Sequence, residues 1–202
     1  MARFVVTCTP GPAWESATPT RQQAGWDAHA TFMNALAQER FVAFGGPAGE
    51  ENNVVLIADA RDDASVRARL ALDPWSTAGL LRTVSIEPWT IWLGDDERIP
   101  ADQSGSLYLV AYAPGPRWEH PKPRRGQAGW DAHAKFMDAL TEQRVVLLGG
   151  PLDEHRALLV MQHEHEDDLR AQLATDLWYD GVLRIKYIEP WTLWLHRSQA
   201  ST

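Results

Sequence analysis

A stretch of 25 residues occurs twice in this chain, and that recurrence restricts the possible folds more than any other feature. Gln23–Pro47 reads QAGWDAHATFMNALAQERFVAFGGP and Gln127–Pro151 reads QAGWDAHAKFMDALTEQRVVLLGGP, identical at 17 of 25 positions with a shift of 104. The ten tryptophans follow the same repeat, falling in pairs at 14/118, 26/130, 75/178, 89/191 and 92/194. A chain of 202 residues built this way is expected to hold two similar units, with boundaries at residues 1–94 and 107–197 and a linker at 95–106. Each unit is near 90 residues, enough for a core but modest in the surface it can bury alone.

Within the repeat, Trp26, His29, Phe32, Met33 and Leu36 recur at helical spacing on one face, which predicts a helix over about Ala24–Glu39. The helix therefore turns a histidine toward its own apolar seam, and His133 repeats the arrangement. An ionisable group there is costly unless paired. It reads either as a core histidine satisfied by one hydrogen bond or as part of a site. Asp27 and Asp131, two residues earlier, face elsewhere and suit the first turn of the helix dipole.

Around the helix, Phe4–Cys8 and Tyr108–Tyr112 are rich in strand formers and end at Pro-Gly-Pro. A loop from Pro10 to about Gln22 follows, stiffened by prolines and carrying Trp14 (Trp118 in the second copy), as a lid over a pocket would be. Phe41–Phe44 is a second strand, stopped by Gly45-Gly46-Pro47; Gly46 and its counterpart Gly150 either turn the chain or admit backbone close to a ligand. A polar turn at Glu50–Asn53 leads to a third strand at Val54–Ala58. A second helix starts at Asp62-Asp63 with Val66, Leu70 and Ala71 inward, and ends at Asp73-Pro74. The last strand runs from about Leu81 to Leu93, with Pro88 marking a bulge or an unpaired edge position.

Each copy thus reads β-α-β-β-α-β, the split βαβ of ferredoxin-like folds. Two helices cover one face of such a sheet, yet the first strand is apolar on both faces, so the other face needs a partner layer. The expected fold is α+β: two ferredoxin-like repeats closing on each other in an intramolecular pseudo-dimeric α+β barrel, as a monomer or a higher homo-oligomer.

Composition narrows the function classes. With 19 Lys and Arg against 27 Asp and Glu the net charge is −8, and there is no basic run, which argues against nucleic acid or an anionic membrane as partner. The single Cys8 excludes an intrachain disulfide and a cysteine-built zinc site. No apolar run approaches a membrane span, and MARFVVTCTPGP reads as a strand rather than a secretory signal, so a cytoplasmic location is expected. His163 and His165 share a strand face, but the first copy has Ala60-Arg61-Asp62 there, and the patch reads as solvated surface. No phosphate loop, nucleophile elbow or triad pattern occurs. Neither a metal nor an organic cofactor is expected.

The repeated histidine, the Gly-Gly-Pro after the second strand, the Asp-Pro-Trp at 73–75 and the closing Ile-Glu-Pro-Trp together resemble the YCII-related family, over nearly all of both repeats. The resemblance implies a tandem protein of the dimeric α+β-barrel superfamily, with a histidine–aspartate pair linked to acid–base catalysis. Carried over residue by residue, His29 and His133 match the family histidine, and Asp73 and Asp176 the aspartate. The second copy departs from the motif, reading Asp176-Leu177-Trp178, and its following loop is one residue shorter.

The leading expectation is a cofactor-free enzyme, an isomerase or lyase, acting on a small molecule with His29–Asp73 and His133–Asp176. Asp73 could instead serve as a turn or cap residue. Trp14, Trp26, Gly46 and Trp75, and Trp118, Trp130, Gly150 and Trp178, are the candidate substrate-binding residues. Alternatives are a non-catalytic binding protein using the same pockets, or a structural domain whose histidines only pack. The loops also differ in charge. Pro10–Gly25 has Arg21 against Glu15, whereas Pro114–Gly129 has Arg117, Lys122, Arg124 and Arg125 against Glu119, a net +3. The second pocket is therefore expected to prefer an anion.

Overall fold

The strand formers of Phe4–Cys8 do form a strand, and in the computed structural model, which describes residues 1–49, 52–101 and 105–197, it lies inside an antiparallel sheet. That strand, β1 (Ala2–Pro10), is followed by helix α1 (Trp26–Gln38), strands β2 (Val42–Ala48) and β3 (Asn53–Ala60), helices α2 (Asp63–Leu70) and α3 (Pro74–Thr77), and strand β4 (Leu81–Pro88). The chain then lays down β5 (Leu93–Gly94), β6 (Ser106–Pro114), α4 (Trp130–Glu142), β7 (Val146–Pro151), β8 (Ala157–His163), α5 (Glu166–Leu173), β9 (Leu183–Pro190) and β10 (Leu195–His196).

Local chemistry accounts for the helix starts. Gly25 takes the left-handed conformation at φ 73° just before α1, and Gly129 does so at 78° before α4, a region glycine enters without a Cβ penalty. The Asp62 carboxylate accepts the Ser65 amide at the head of α2. At α3, Pro74 occupies the first helical position, where its missing N–H costs nothing.

The strands assemble in two antiparallel five-stranded sheets, ordered β10-β2-β3-β1-β4 and β5-β7-β8-β6-β9. Two compact units result, Met1–Pro88 joined by the chain from Thr192 onward, and Trp89–Trp191. In the first, α1 and α2 press Met33, Leu36, Val66 and Leu70 onto Phe4, Val6, Cys8, Val42 and Leu56 of the sheet. In the second, Met137, Leu140, Leu169 and Leu173 pack on Tyr108, Val110, Tyr112, Val146 and Leu159. Burying one such Leu contributes roughly 1.5–3 kcal/mol. Ala71, expected inward, is exposed, because α2 ends one residue before it.

Three expectations from the sequence need correction. Gly45-Gly46-Pro47 does not stop β2; it lies within it. The glycines are there because other backbone passes close by: a Cβ on Gly46 would sit 1.9 Å from the Thr192 carbonyl oxygen, and one on Gly150 would sit 2.1 Å from that of Thr90. The last strand of the first copy does not continue to Leu93. It ends at Pro88, opposite Phe4 on the sheet edge, and the bulge falls instead between Thr7 and Cys8. The boundaries at 94 and 107 also differ from the compact units. Residues 89–94 belong to the second unit, where Leu93 pairs with Gly149, and the closing residues of the second copy return to the first unit, where Leu195 pairs with Gly45. Of the expected linker, Asp96–Arg98 form a short 3₁₀ turn and Ser106 opens β6, while residues 102–104 lie outside the described residues. The expected turn at 50–53 falls in part on residues 50 and 51, which are likewise outside them. No helix among the described residues is long and apolar enough to cross a membrane.

Candidate active site

His29 sits one turn into α1, and its position is set from below. The Trp75 indole N–H donates to the Ala24 carbonyl at 2.8 Å, tying the ring to the chain just ahead of the helix. The imidazole then lies flat on that indole, ring centroids 4.0 Å apart and planes 6° apart. Asp73 closes the arrangement. Its Oδ1 is 2.8 Å from His29 Nδ1 and accepts the Trp75 amide at 3.1 Å, so one carboxylate caps α3 and holds the histidine. Asp73 is thus a helix cap and the partner of His29 at the same time. Its side chain is only 3% exposed, which fixes it without solvent competition.

The second unit repeats this geometry without the proline. His133 Nδ1 lies 2.7 Å from Asp176 Oδ2, and the Trp178 amide donates to Asp176 Oδ1 at 3.3 Å. The Trp178 indole N–H donates to the Ala128 carbonyl at 2.7 Å, and the imidazole stacks on it at 4.1 Å and 7°. The departure to Asp-Leu-Trp costs the short helix, since no counterpart of α3 forms, but it does not displace the carboxylate.

A carboxylate only accepts hydrogen bonds, so in both pairs Nδ1 donates a proton to it, and in the neutral form of the ring Nε2 is the nitrogen that holds the lone pair. Neither Nε2 makes a hydrogen bond among the described residues, and both histidines line cavities. The first cavity is about 320 Å³ and the second about 450 Å³, the size of small-molecule sites. An oriented imidazole with a free Nε2 at the wall of such a cavity can take a proton and return it.

Of the other candidate residues, Trp14, Trp26, Gly46 and Trp75 line the first cavity, and Trp130 and Gly150 the second. Trp178 is fully buried beneath His133, and Trp118 packs edge-on against Trp178, 6.5 Å between centroids; neither lines the second cavity. Asp73 borders its cavity, whereas Asp176 is not among the residues lining the second.

The sequence reading missed two cavity walls and two buried groups. Trp194 and Leu195 line the first cavity from the returning end of the chain, and Ile91, Trp92 and Leu93 line the second. The 92/194 tryptophan pairing was the available signal, but nothing local shows on which sheet each lands. Cys8 also borders the first cavity, beneath a thiol–hydroxyl contact to Thr83 of 3.6 Å. Burial pushes that thiol up to about 11. Tyr112, at the matching position of the second cavity, is likewise raised by burial. Among the loop cations, Arg124 and Arg125 reach the second cavity. Lys122 pairs with Glu119 at 2.6 Å, and Arg117 points to the Leu177 carbonyl at 3.5 Å.

Fold and site together define an α+β protein with a tryptophan-backed histidine–aspartate pair at a cavity wall in each of two units. Residues 2–90 match the family model of the YCII-related domain, in agreement with the motifs read over the first repeat. No curated protein matches the chain.

Proposed function

We propose that the chain is a cofactor-free enzyme that moves protons on a small organic molecule, an isomerase or a lyase, at His29–Asp73 and again at His133–Asp176. The observation that carries this reading is the recurrence of the same Nδ1–carboxylate bond and the same free Nε2 in both units, although the aspartate motif differs between them. Nε2 abstracts a proton from the bound molecule, and Asp73 or Asp176 holds the ring and stabilises the imidazolium. The proton then returns to another atom of the same molecule in an isomerisation, or accompanies a leaving group in an elimination. The proposal extends the YCII-related assignment to the second repeat, on the strength of the 17 identities in 25 positions. It also keeps the two ferredoxin-like repeats and their pseudo-dimeric barrel, which the two apolar faces of the first strand of each copy support.

The test incubates the chain with small aromatic and hydroxy acids and follows them by proton NMR in deuterated water. Catalysis appears as exchange, isomerisation or loss of a group, and His29→Ala combined with His133→Ala lowers it by roughly 10²–10⁴-fold. A compound that stabilises the protein yet is returned unchanged would favour the non-catalytic binding reading, for which the tryptophan-lined cavities speak equally.

A further inference from the structure

Both cavities carry a second repeated feature that the proton-transfer reading leaves unused. The guanidinium carbon of Arg21 lies 5.1 Å from the Trp194 ring centroid and 5.9 Å from that of Trp26. In the other unit Arg125 stands 5.1 Å from Trp92 and 5.9 Å from Trp130. The two indoles of each set meet nearly edge to face, at 87° and 86°. Each arginine is thus held on a corner of two aromatic faces, one from its own repeat and one from the tail of the other.

Neither arginine makes a hydrogen bond or an ion pair among the described residues, in a chain whose net charge is −8. A guanidinium stays charged and offers five N–H donors in a planar fork that matches a carboxylate. Aromatic faces satisfy its charge without occupying those donors. Among the described residues that line the first cavity, Arg21 is the only charged one apart from the histidine–aspartate pair. In the second, Arg124 and Arg125 are offset by Asp138, so the lining there also carries one net positive charge outside the pair. Arg124 is partly engaged: its guanidinium donates to the Asp153 and Arg156 carbonyls at 3.4 and 3.2 Å and lies over Trp118. The +3 of the second loop therefore does not reach the cavity as such, and the common element is Arg21 and Arg125.

We propose that the substrate of both sites is a small carboxylate, whose carboxyl group is bound by Arg21 in the first cavity and Arg125 in the second, with its remaining carbon frame against the tryptophans and facing Nε2 of His29 or His133. This rests on the acid–base reading for the reaction, and adds the class of molecule on which it acts.

Calorimetric titration of the full chain with acetate, benzoate and salicylate, each beside its neutral amide, tests the assignment. The carboxylates bind and the amides bind about tenfold or more weaker, as expected when a charged hydrogen bond is lost. The preference shrinks as salt is raised. Arg21→Ala with Arg125→Ala removes it, and Arg21→Lys with Arg125→Lys, which keeps the charge and guards against a folding defect, retains part of it. Equal affinity for acid and amide, or full acid preference in a folded alanine double variant, overturns the proposal. His29→Ala with His133→Ala separates the two ideas. Carboxylate binding that survives there while wild-type protein transforms no acid leaves the arginine assignment standing and sinks the catalytic one.

Discussion

Removing Asp73 should damage the first unit through two separable losses, and a double-mutant cycle can part them. Asp73→Ala deletes the cap on the Trp75 amide, about 0.5–2 kcal/mol, and a buried charged hydrogen bond to His29, about 1.5–3 kcal/mol. Both bonds are short and the pair is nearly sealed, with side chains 12% and 3% exposed, so solvent does not compensate. His29→Ala loses the same bond together with the stacked ring on Trp75, worth about 0.5–1.5 kcal/mol beyond its area. The double variant loses the shared bond only once. The coupling between the two sites should therefore be about 1.5–3 kcal/mol. Urea unfolding read by hydrogen-exchange mass spectrometry resolves the peptides of Met1–Pro88 from those of Trp89–Trp191, and the effect should be confined to the former. Coupling below about 0.5 kcal/mol would show that each side chain serves only its own packing or cap, and the paired-site reasoning would fail.

Three further outcomes follow from other parts of the molecule. Asp59 is opposed by burial, yet its bonds to Arg3 at 2.8 and 2.9 Å and to Arg197 at 2.6 Å hold its carboxyl below the usual range. A depressed carboxyl stabilises the fold above its unfolded value, near ~4, so Asp59→Asn should be less stable than wild type at pH 7 and converge on it as the pH falls below that value in urea titrations. Gly46→Ala should push the Thr192 segment away and cost about 1–3 kcal/mol, seen as lowered thermal stability with earlier proteolysis around that segment; unchanged stability and proteolysis would refute the close-approach account. The Cys8 thiol, buried and raised to about 11, should resist iodoacetamide at pH 8 in the folded chain and react once unfolded in urea, and rapid native labelling would contradict its placement.

What the sequence made legible was what neighbouring residues decide. The spacing of Trp26, His29, Met33 and Leu36 announced α1, and Asp73 announced a cap; α2, expected to run to Asp73-Pro74, ends at Leu70, and Asp73-Pro74 begins α3 instead. The aspartate beside His29 was anticipated from the motif resemblance, and the geometry shows why it survives in Asp176-Leu177-Trp178. The carboxylate accepts the Trp178 amide without help from a proline, and the indole of the same residue is anchored on the Ala128 carbonyl. What stayed illegible depends on distant partners. Gly45-Gly46-Pro47 follows the local rule for a turn, but Gly46 answers to Thr192 and Trp194, far along the chain. Arg21 looked like an ordinary loop cation because one of the rings that hold it, Trp194, arrives from the other repeat.

The crossing of the chain at 88/89 and its return at 191/192 has a consequence for inheritance. The similar stretches of the sequence do not coincide with the compact units of the molecule. A nonsense codon at position 192 would spare every residue that lines the second cavity and strip Trp194 and Leu195 from the first. The codons for Trp194 and Leu195 therefore serve a site whose histidine is encoded far upstream, and a recombination event that swapped one whole repeat for a foreign homologue would alter a wall of both cavities at once.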